Sequence, residues 1–142
     1  MNRSVVDANV LIAARLSRDQ NHETARDITR EFDEGSFPTG YVFDTVLEEV
    51  LNYLQARSTH DAAVRTLDAT IESNGFEIAR TRKSDFDAGR SLFRRYQSLS
   101  LTDGIIAAAM DRRNLEYLYS FDDGFDAVDE VTRLDTAADP FA

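Results

Sequence analysis

Cysteine is absent from this chain of 142 residues, histidine occurs only at positions 22 and 60, and Lys83 is the sole lysine. Without thiols there can be no disulfide, no thiolate zinc site, no redox motif and no cysteine nucleophile. His22 and His60 both fall in predicted helices with no partner at ligand spacing, so they read as structural or exposed. Any bound metal must therefore be held by oxygen, which favours Mg²⁺ or Mn²⁺ and, more weakly, Ca²⁺. No serine lies in a nucleophile-elbow motif, which removes the serine-histidine-acid triad. No apolar run approaches the roughly 20 residues needed to cross a bilayer. The opening MNRSVVDANVLIAARL is interrupted by Asp7 and Asn9 and carries no cleavage-type motif. The expectation is a soluble, cytoplasmic protein with no membrane partner.

What is abundant is acid. The formal net charge is −10, and apart from Lys83 the positive charge is all arginine. This resembles the composition of salt-adapted proteins from halophilic archaea, where high salt screens self-repulsion; the alternative is a merely acidic mesophilic domain. Net charge alone argues against a nucleic-acid partner. Local arginine clusters and bound divalent cations can nevertheless present positive charge to phosphate. At this length residues 1–142 are expected to form one domain that buries about two thirds of the surface its unfolded chain would expose.

Apolar spacing predicts strands alternating with helices. Ser4 to Val6 reads as a strand, followed by a helix carrying Leu11, Ile12 and Leu16 and a second from about Asn21 to Asp33. After the breaker Glu34 to Gly40, a strand is expected over Tyr41 to Phe43, then a helix whose stripe is Val46, Leu47, Val50, Leu51 and Leu54. Ser58 and Thr59 precede a helix ending at Asn74-Gly75, with a strand over Phe76 to Ala79. Helices follow from about Ser84 to Gln97, with Phe86, Phe93 and Tyr96 on one side, and from Thr102 to Arg113. The latter is apolar nearly all round, so it should be central. Leu115 to Tyr119 and Val131 to Leu134 complete the strands, and the tail after about Asp135 is expected to be loosely ordered. The alternation implies an α/β fold with a central parallel sheet of four or five strands and right-handed crossovers.

Within that order, widely separated acids fall where strands end or helices begin. Asp7 follows the first strand, at the carboxyl edge where open parallel sheets bind ligands, although Asp is also a good helix cap. Asn9 is close enough to support it. Glu48 and Glu49 sit almost equally far from the stripe of their helix, and periodicity does not choose between them. Asp103 opens the alanine-rich helix, where the helix dipole favours its ionised form. Asp122 and Asp123 follow the Leu115 to Tyr119 strand after Ser120, in a sequence that is also a good turn. Asp126 and Asp129 read as ordinary surface acids. Gathered carboxylates raise each other's pKa, so a fold that collects them has divalent cations to bind.

In these segments the chain resembles the PIN-domain nucleases, and in particular the VapC type of toxin ribonuclease. VVDANVLIA is similar to the family's opening strand and first acid, VLEEVLNYL to its helix-borne glutamate, LTDGIIAAAM to its third acid and YSFDDGF to its closing motif. The resemblance covers nearly the whole chain. It implies a three-layer α/β/α fold and marks Asp7, Glu49, Asp103 and Asp122 as catalytic metal ligands, choosing Glu49 because the family glutamate precedes an apolar pair such as Val50-Leu51. Asn9 and Ser120 match supporting polar positions.

The activity implied is hydrolysis of RNA phosphodiesters to 5′-phosphate and 3′-hydroxyl ends with one or two Mg²⁺ or Mn²⁺ ions. The partners implied are RNA, a small antitoxin of the VapB type whose C-terminal segment covers the acidic pocket, and a second copy in a homodimer; the apolar helices near the N-terminus offer docking surfaces. Arg80, Arg82, Lys83, Arg90, Arg94 and Arg95 form the best basic group for an RNA backbone, or else pair with local acids. A receiver-like domain would need a second acid beside Asp7 and a lysine after a late strand, and neither is present. A PIN-fold module used only for binding RNA or protein, or a housekeeping RNA-processing nuclease, would carry the same motifs.

Overall fold

The computed structural model describes residues 2–142. Its strands are β1 (Val5–Val6), β2 (Gly40–Phe43), β3 (Phe76–Ala79), β4 (Tyr117–Tyr119) and β5 (Thr132–Leu134). The helices are α1 (Ala8–Arg15), α2 (His22–Asp33), α3 (Asp44–Arg57), α4 (His60–Glu72), α5 (Lys83–Arg95) and α6 (Leu101–Arg112). All strand pairings are parallel, in the order β3-β2-β1-β4-β5. The α/β expectation and every predicted strand and helix are present. A short 3-10 helix over Asp123–Ala127 was not expected from the sequence.

Strand order dictates where a site can form. From β1 the chain steps outward to β2 and β3, then returns across the sheet to β4 and β5. With right-handed crossovers, α1 to α4 cover one face and α5 with α6 the other. The connections leaving β1 and β4 therefore diverge, opening a crevice at the carboxyl edge of adjacent strands. Val5 pairs with Tyr41 on one side and Leu118 on the other, while Val6 pairs with Tyr119. These strands are covered on both faces, so Val5, Val6, Val42, Phe43 and Leu118 are fully buried and read as apolar runs without alternation.

Helix ends follow their caps. The Thr59 hydroxyl accepts from Ala62 N at 3.0 Å to start α4. Ser100 accepts from Asp103 N at 3.1 Å, and Asp103 returns a bond to Ser100 N at 3.2 Å, closing a capping box at the head of α6. His22, expected to be structural or exposed, sets its Nδ1 2.7 Å from the Ala13 carbonyl and so ties α2 to α1.

The α5–α6 hairpin decides which face of α5 turns inward. Phe86 and Phe93 face solvent, at 42% and 48% exposure, and the buried residues of α5 are Asp85 and Gly89. The two helices approach through glycine: a Cβ on Gly104 would fall 2.5 Å from the Gly89 carbonyl oxygen. Contact that close leaves no room for an aromatic between the axes, so the rings turn outward. The helices are also joined by Arg112, whose Nε and Nη2 donate to the two Asp85 oxygens at 2.8 Å each. On α6, Gly104 to Met110 are all buried, as expected for a helix apolar all round.

The largest aromatic cluster surrounds Phe32, whose ring centroid lies 5.1 Å from those of Phe37 and Phe76 and 5.4 Å from Tyr119. Burying one such ring contributes about 1.5–3 kcal/mol. The tail, expected to be loosely ordered, makes specific contacts: Tyr119 Oη donates to the Ala138 carbonyl at 2.5 Å, and Phe141 meets Tyr117 edge-on at 5.2 Å.

Candidate active site

Asp7 leaves the central strand and caps α1. Its Oδ1 accepts from Ala8 N at 2.8 Å, so both readings of this residue, cap and pocket acid, hold together. Its Oδ2 accepts from Ser120 Oγ at 2.8 Å and Asn9 Nδ2 at 3.3 Å. Asn9 Nδ2 also reaches Ser120 Oγ at 3.1 Å, while Asn9 Oδ1 accepts from Phe121 N at 3.0 Å. Ser120 is fully buried and accepts in turn from Asp122 N at 3.0 Å. One hydroxyl and one amide thus lock the exits of β1 and β4 to each other.

Burial dominates the electrostatics of Asp7, which is 5% exposed. Desolvation pushes its carboxyl from 3.8 up to about 7; the bonds from Ser120 and Ala8 oppose the rise, and the charges of Asp103 and Glu49 add to it. Glu49, on α3, is exposed at the mouth of the crevice, yet desolvation by nearby protein raises its carboxyl and Asp103 raises it further. Asp103, half-buried at the head of α6, is raised by burial, with its bonds to Ser100 opposing and Asp122 adding. Each of the four acids therefore lies within the field of at least one other. Among the described residues no three His, Cys, Asp or Glu side chains close to chelating distance of one point, so the acids face each other at Coulombic range.

Within the two pairs that periodicity left open, the electrostatic field and the hydrogen bonds act on one member of each. The charge of Glu49 acts on Asp7, and that of Asp103 on Glu49. Asp122 is coupled to Asp103 and caps the 3-10 helix by accepting from Gly124 N at 2.9 Å, whereas Asp123 is exposed. Asp126 is more than a surface acid: Arg133 Nε and Nη2 donate to its oxygens at 2.9 and 3.1 Å, and Arg133 Nη1 donates to the Ser120 carbonyl at 3.2 Å. Sequence reasoning missed Arg133, since nothing in a weak strand at the end of the chain marks an arginine as a brace for a distant loop. Asp44, an acid at the carboxyl end of β2, is occupied otherwise. Its Oδ1 accepts from Thr45 N, Thr81 N and Thr81 Oγ1 and ties α3 to the exit of β3.

The basic group is partly neutralised by its own helix. Lys83 lies 3.0 Å and Arg90 3.9 Å from Asp87, and Arg90 also lies over the Phe86 ring. The donor set at the crevice is wholly oxygen, matching hard divalent cations. Because burial first and the neighbouring acids second push the Asp7 carboxyl upward, a divalent cation held beside it would favour the ionised form and displace a proton near neutral pH.

The PIN domain family matches residues 4–131 of this chain. A VapC ribonuclease of Mycobacterium bovis is 32% identical over 89 residues, which span 63% of this chain and 67% of that protein. Among solved structures, the sarcin-ricin loop cleaving toxin VapC20 of Mycobacterium tuberculosis superposes with a TM-score of 0.75 at 23% identity, over 88% of this chain and 94% of that one. A toxin-antitoxin complex from Klebsiella pneumoniae contains a chain that matches with a TM-score of 0.63 at 20% identity, over 96% of this chain and 98% of its own. At those identities the two structural likenesses concern the fold. The motif order, the parallel sheet with acids at its carboxyl edge and the extent of the family match agree: this chain belongs to the PIN-domain family, with VapC ribonucleases among its relatives.

Proposed function

We propose that this protein is a metal-dependent endoribonuclease that hydrolyses RNA phosphodiesters to 5′-phosphate and 3′-hydroxyl ends and acts as the toxin of a toxin-antitoxin pair. The observation that carries the reading is Asp7: a carboxylate buried at the end of the central strand, raised to about 7, and wired to Asn9 and Ser120. A fold holds an acid at such an unfavourable position when ionisation is tied to binding a cation. Relatives that are VapC ribonucleases support the same activity.

In this reading Asp7 and Asp103 hold Mg²⁺ or Mn²⁺, Glu49 binds metal or orients water from the crevice mouth, and Asp122 completes the set. Ions bound there supply Lewis-acid activation of a water and charge stabilisation at the leaving 3′ oxygen. Ser120 keeps Asp7 aimed and acidic enough to ionise, Asn9 fixes the loop that carries Asp122, and Arg133 braces that loop from behind. A VapB-type antitoxin that covers the crevice, and a homodimer, complete the proposed assembly. A chain of the same fold occurs in a toxin-antitoxin complex from Klebsiella pneumoniae, which supports the partner class.

The test is direct. Purified protein is incubated with structured RNA and Mg²⁺ or Mn²⁺ at high salt, beside Asp7→Asn and Asp103→Asn. Cleavage by the parent and loss in both variants is the expected result. Hydrolysis that survives both substitutions would sink the assignment of the site, and a parent that never cleaves would favour a binding module.

A further inference from the structure

A shallow groove of about 570 Å³ opens beside Glu49, lined by Thr45, Glu48, Glu49, Asn52, Tyr53 and Thr102. It is continuous with the acid crevice, because Glu49 lines it and Thr102 directly precedes Asp103. Tyr53, Asn52 and the adjacent Arg57 take no part in the network around Asp7.

Tyr53 and Arg57 follow Glu49 along α3 at i+4 and i+8, on one helix face. The rise per residue places them about 6 and 12 Å from Glu49 along the axis. Tyr53 is 40% exposed. Among the described residues the large exposed hydrophobics also include Val64, Ile71, Phe86 and Phe93, and none of those four lines this groove. The Arg57 guanidinium lies 5.6 Å from the Tyr53 ring centroid and enters none of the ion pairs that the described residues form. Lys83, Arg112 and Arg133 are held by Asp87, Asp85 and Asp126; Arg57 is one of several arginines outside the ion pairs of the described residues, and it is the one that lies over the ring of Tyr53 beside the groove.

We propose that this groove is a nucleotide subsite for single-stranded RNA, in which Tyr53 stacks a base next to the cleaved phosphate, Arg57 takes the following phosphate and Asn52 contacts the base edge. The inference rests on the ribonuclease reading of the acid crevice. Its physical content is the order of chemistries on one helix face: a carboxylate for metal, then an aromatic face, then a free guanidinium. A nucleic-acid strand running from the crevice along α3 presents the matching sequence of phosphate, base and phosphate. An aromatic platform with an adjacent arginine is how single strands are held without dependence on duplex shape. Glu48 and Glu49 on the same wall repel an acidic peptide and an RNA backbone alike, so the choice of RNA rests on the exposed Tyr53 face, which a base stacks on and an acidic peptide leaves unused.

The experiment uses the intact protein and RNA of about ten nucleotides carrying one 2-aminopurine at successive positions. Binding is followed in Ca²⁺ by anisotropy and by quenching of the probe, and cleavage is followed separately in Mg²⁺ and Mn²⁺. Quenching is expected at one position, retained in Tyr53→Phe and lost in Tyr53→Leu, with affinity about tenfold weaker in the leucine variant. Arg57→Ala should weaken binding and flatten its salt dependence. Tyr53→Leu keeps apolar volume at an exposed position, and its melting curve, matched to the parent, separates lost stacking from misfolding. Quenching and affinity unchanged in Tyr53→Leu would overturn the subsite even if cleavage is robust. Tyr53-dependent quenching without any cleavage would keep the subsite and overturn the ribonuclease reading. No RNA binding by the parent would overturn both.

Discussion

Replacing Asp7 by asparagine should make the metal-free protein more stable at mildly alkaline pH while abolishing cleavage. Unfolded, the carboxyl titrates at its ordinary 3.8; folded, it titrates at about 7. The folded state therefore holds the proton more tightly, and Asp7 lowers stability progressively as pH rises between those values. At about 1.4 kcal/mol per unit, the full effect above neutrality is about 4 kcal/mol. Asparagine removes the charge and still caps α1 by accepting from Ala8 N. Its Nδ2, however, would face Ser120 Oγ, which already accepts from Asn9 Nδ2 and Asp122 N. That mismatch costs about 1–2 kcal/mol, leaving a net gain of about 2–3 kcal/mol at about pH 8 and none at about pH 5. Urea denaturation in EDTA at the two pH values measures it. Glu49 and Asp103 are raised too, so Asp7→Asn should retain a shallower downward slope with pH. If the variant is no more stable than the parent at the higher pH, or if both lose stability equally steeply, Asp7 is not a buried, strained acid and the argument for a cation there loses its support.

Ser120→Ala removes the donor that counteracts burial at Asp7, so half-maximal Mn²⁺ binding, followed calorimetrically, should move to higher pH by about one unit, for a charge-assisted bond of about 1.5 kcal/mol. An unmoved curve would show that the hydroxyl does not tune Asp7. Gly104→Ala drives a methyl to within 2.5 Å of the Gly89 carbonyl oxygen, and overpacking of this kind should lower stability by about 1–3 kcal/mol in urea melts. Asp85→Asn leaves Arg112 without its charge partner and should cost about 3 kcal/mol. Because Arg112 holds the Asp85 carboxyl below its ordinary value, the stabilisation is present above the unfolded pKa and is lost as pH falls through the folded one. The difference between parent and Asp85→Asn should therefore shrink in acid, and a difference independent of pH would refute the pairing.

Local signals made the order of strands and helices readable, because fully buried parallel strands and capped helices announce themselves within a few residues. Thr59 and Ser100 mark helix starts through bonds to their own neighbours. Failures arose where the deciding contact is distant. Phe86 and Phe93 have the spacing of a buried face, but a glycine contact between two helices decides which face is inward. Glu48 and Glu49 are indistinguishable on the wheel, and the difference lies in Asp103, more than fifty residues along. Asp126 looked idle because its partner, Arg133, sits beyond a turn that the sequence did not reveal. The spacing of Glu49, Tyr53 and Arg57 was legible in the sequence, but only exposure and the shared groove give it meaning.

Asp7 and Ser120 are 113 residues apart, and the hydrogen bond between them requires β4 to have docked beside β1. During synthesis the chain emerges from its amino terminus at about 5–20 residues per second. The opening helices can collapse well before the loop bearing Ser120 and Asp122 exists. A truncated product, or a ribosome stalled before that loop, carries Asp7 and Glu49 but lacks the strand that aims them. The proposed site therefore cannot assemble until the strand that leads to Ser120 has emerged and docked, after the segments that carry Asp7, Glu49 and Asp103.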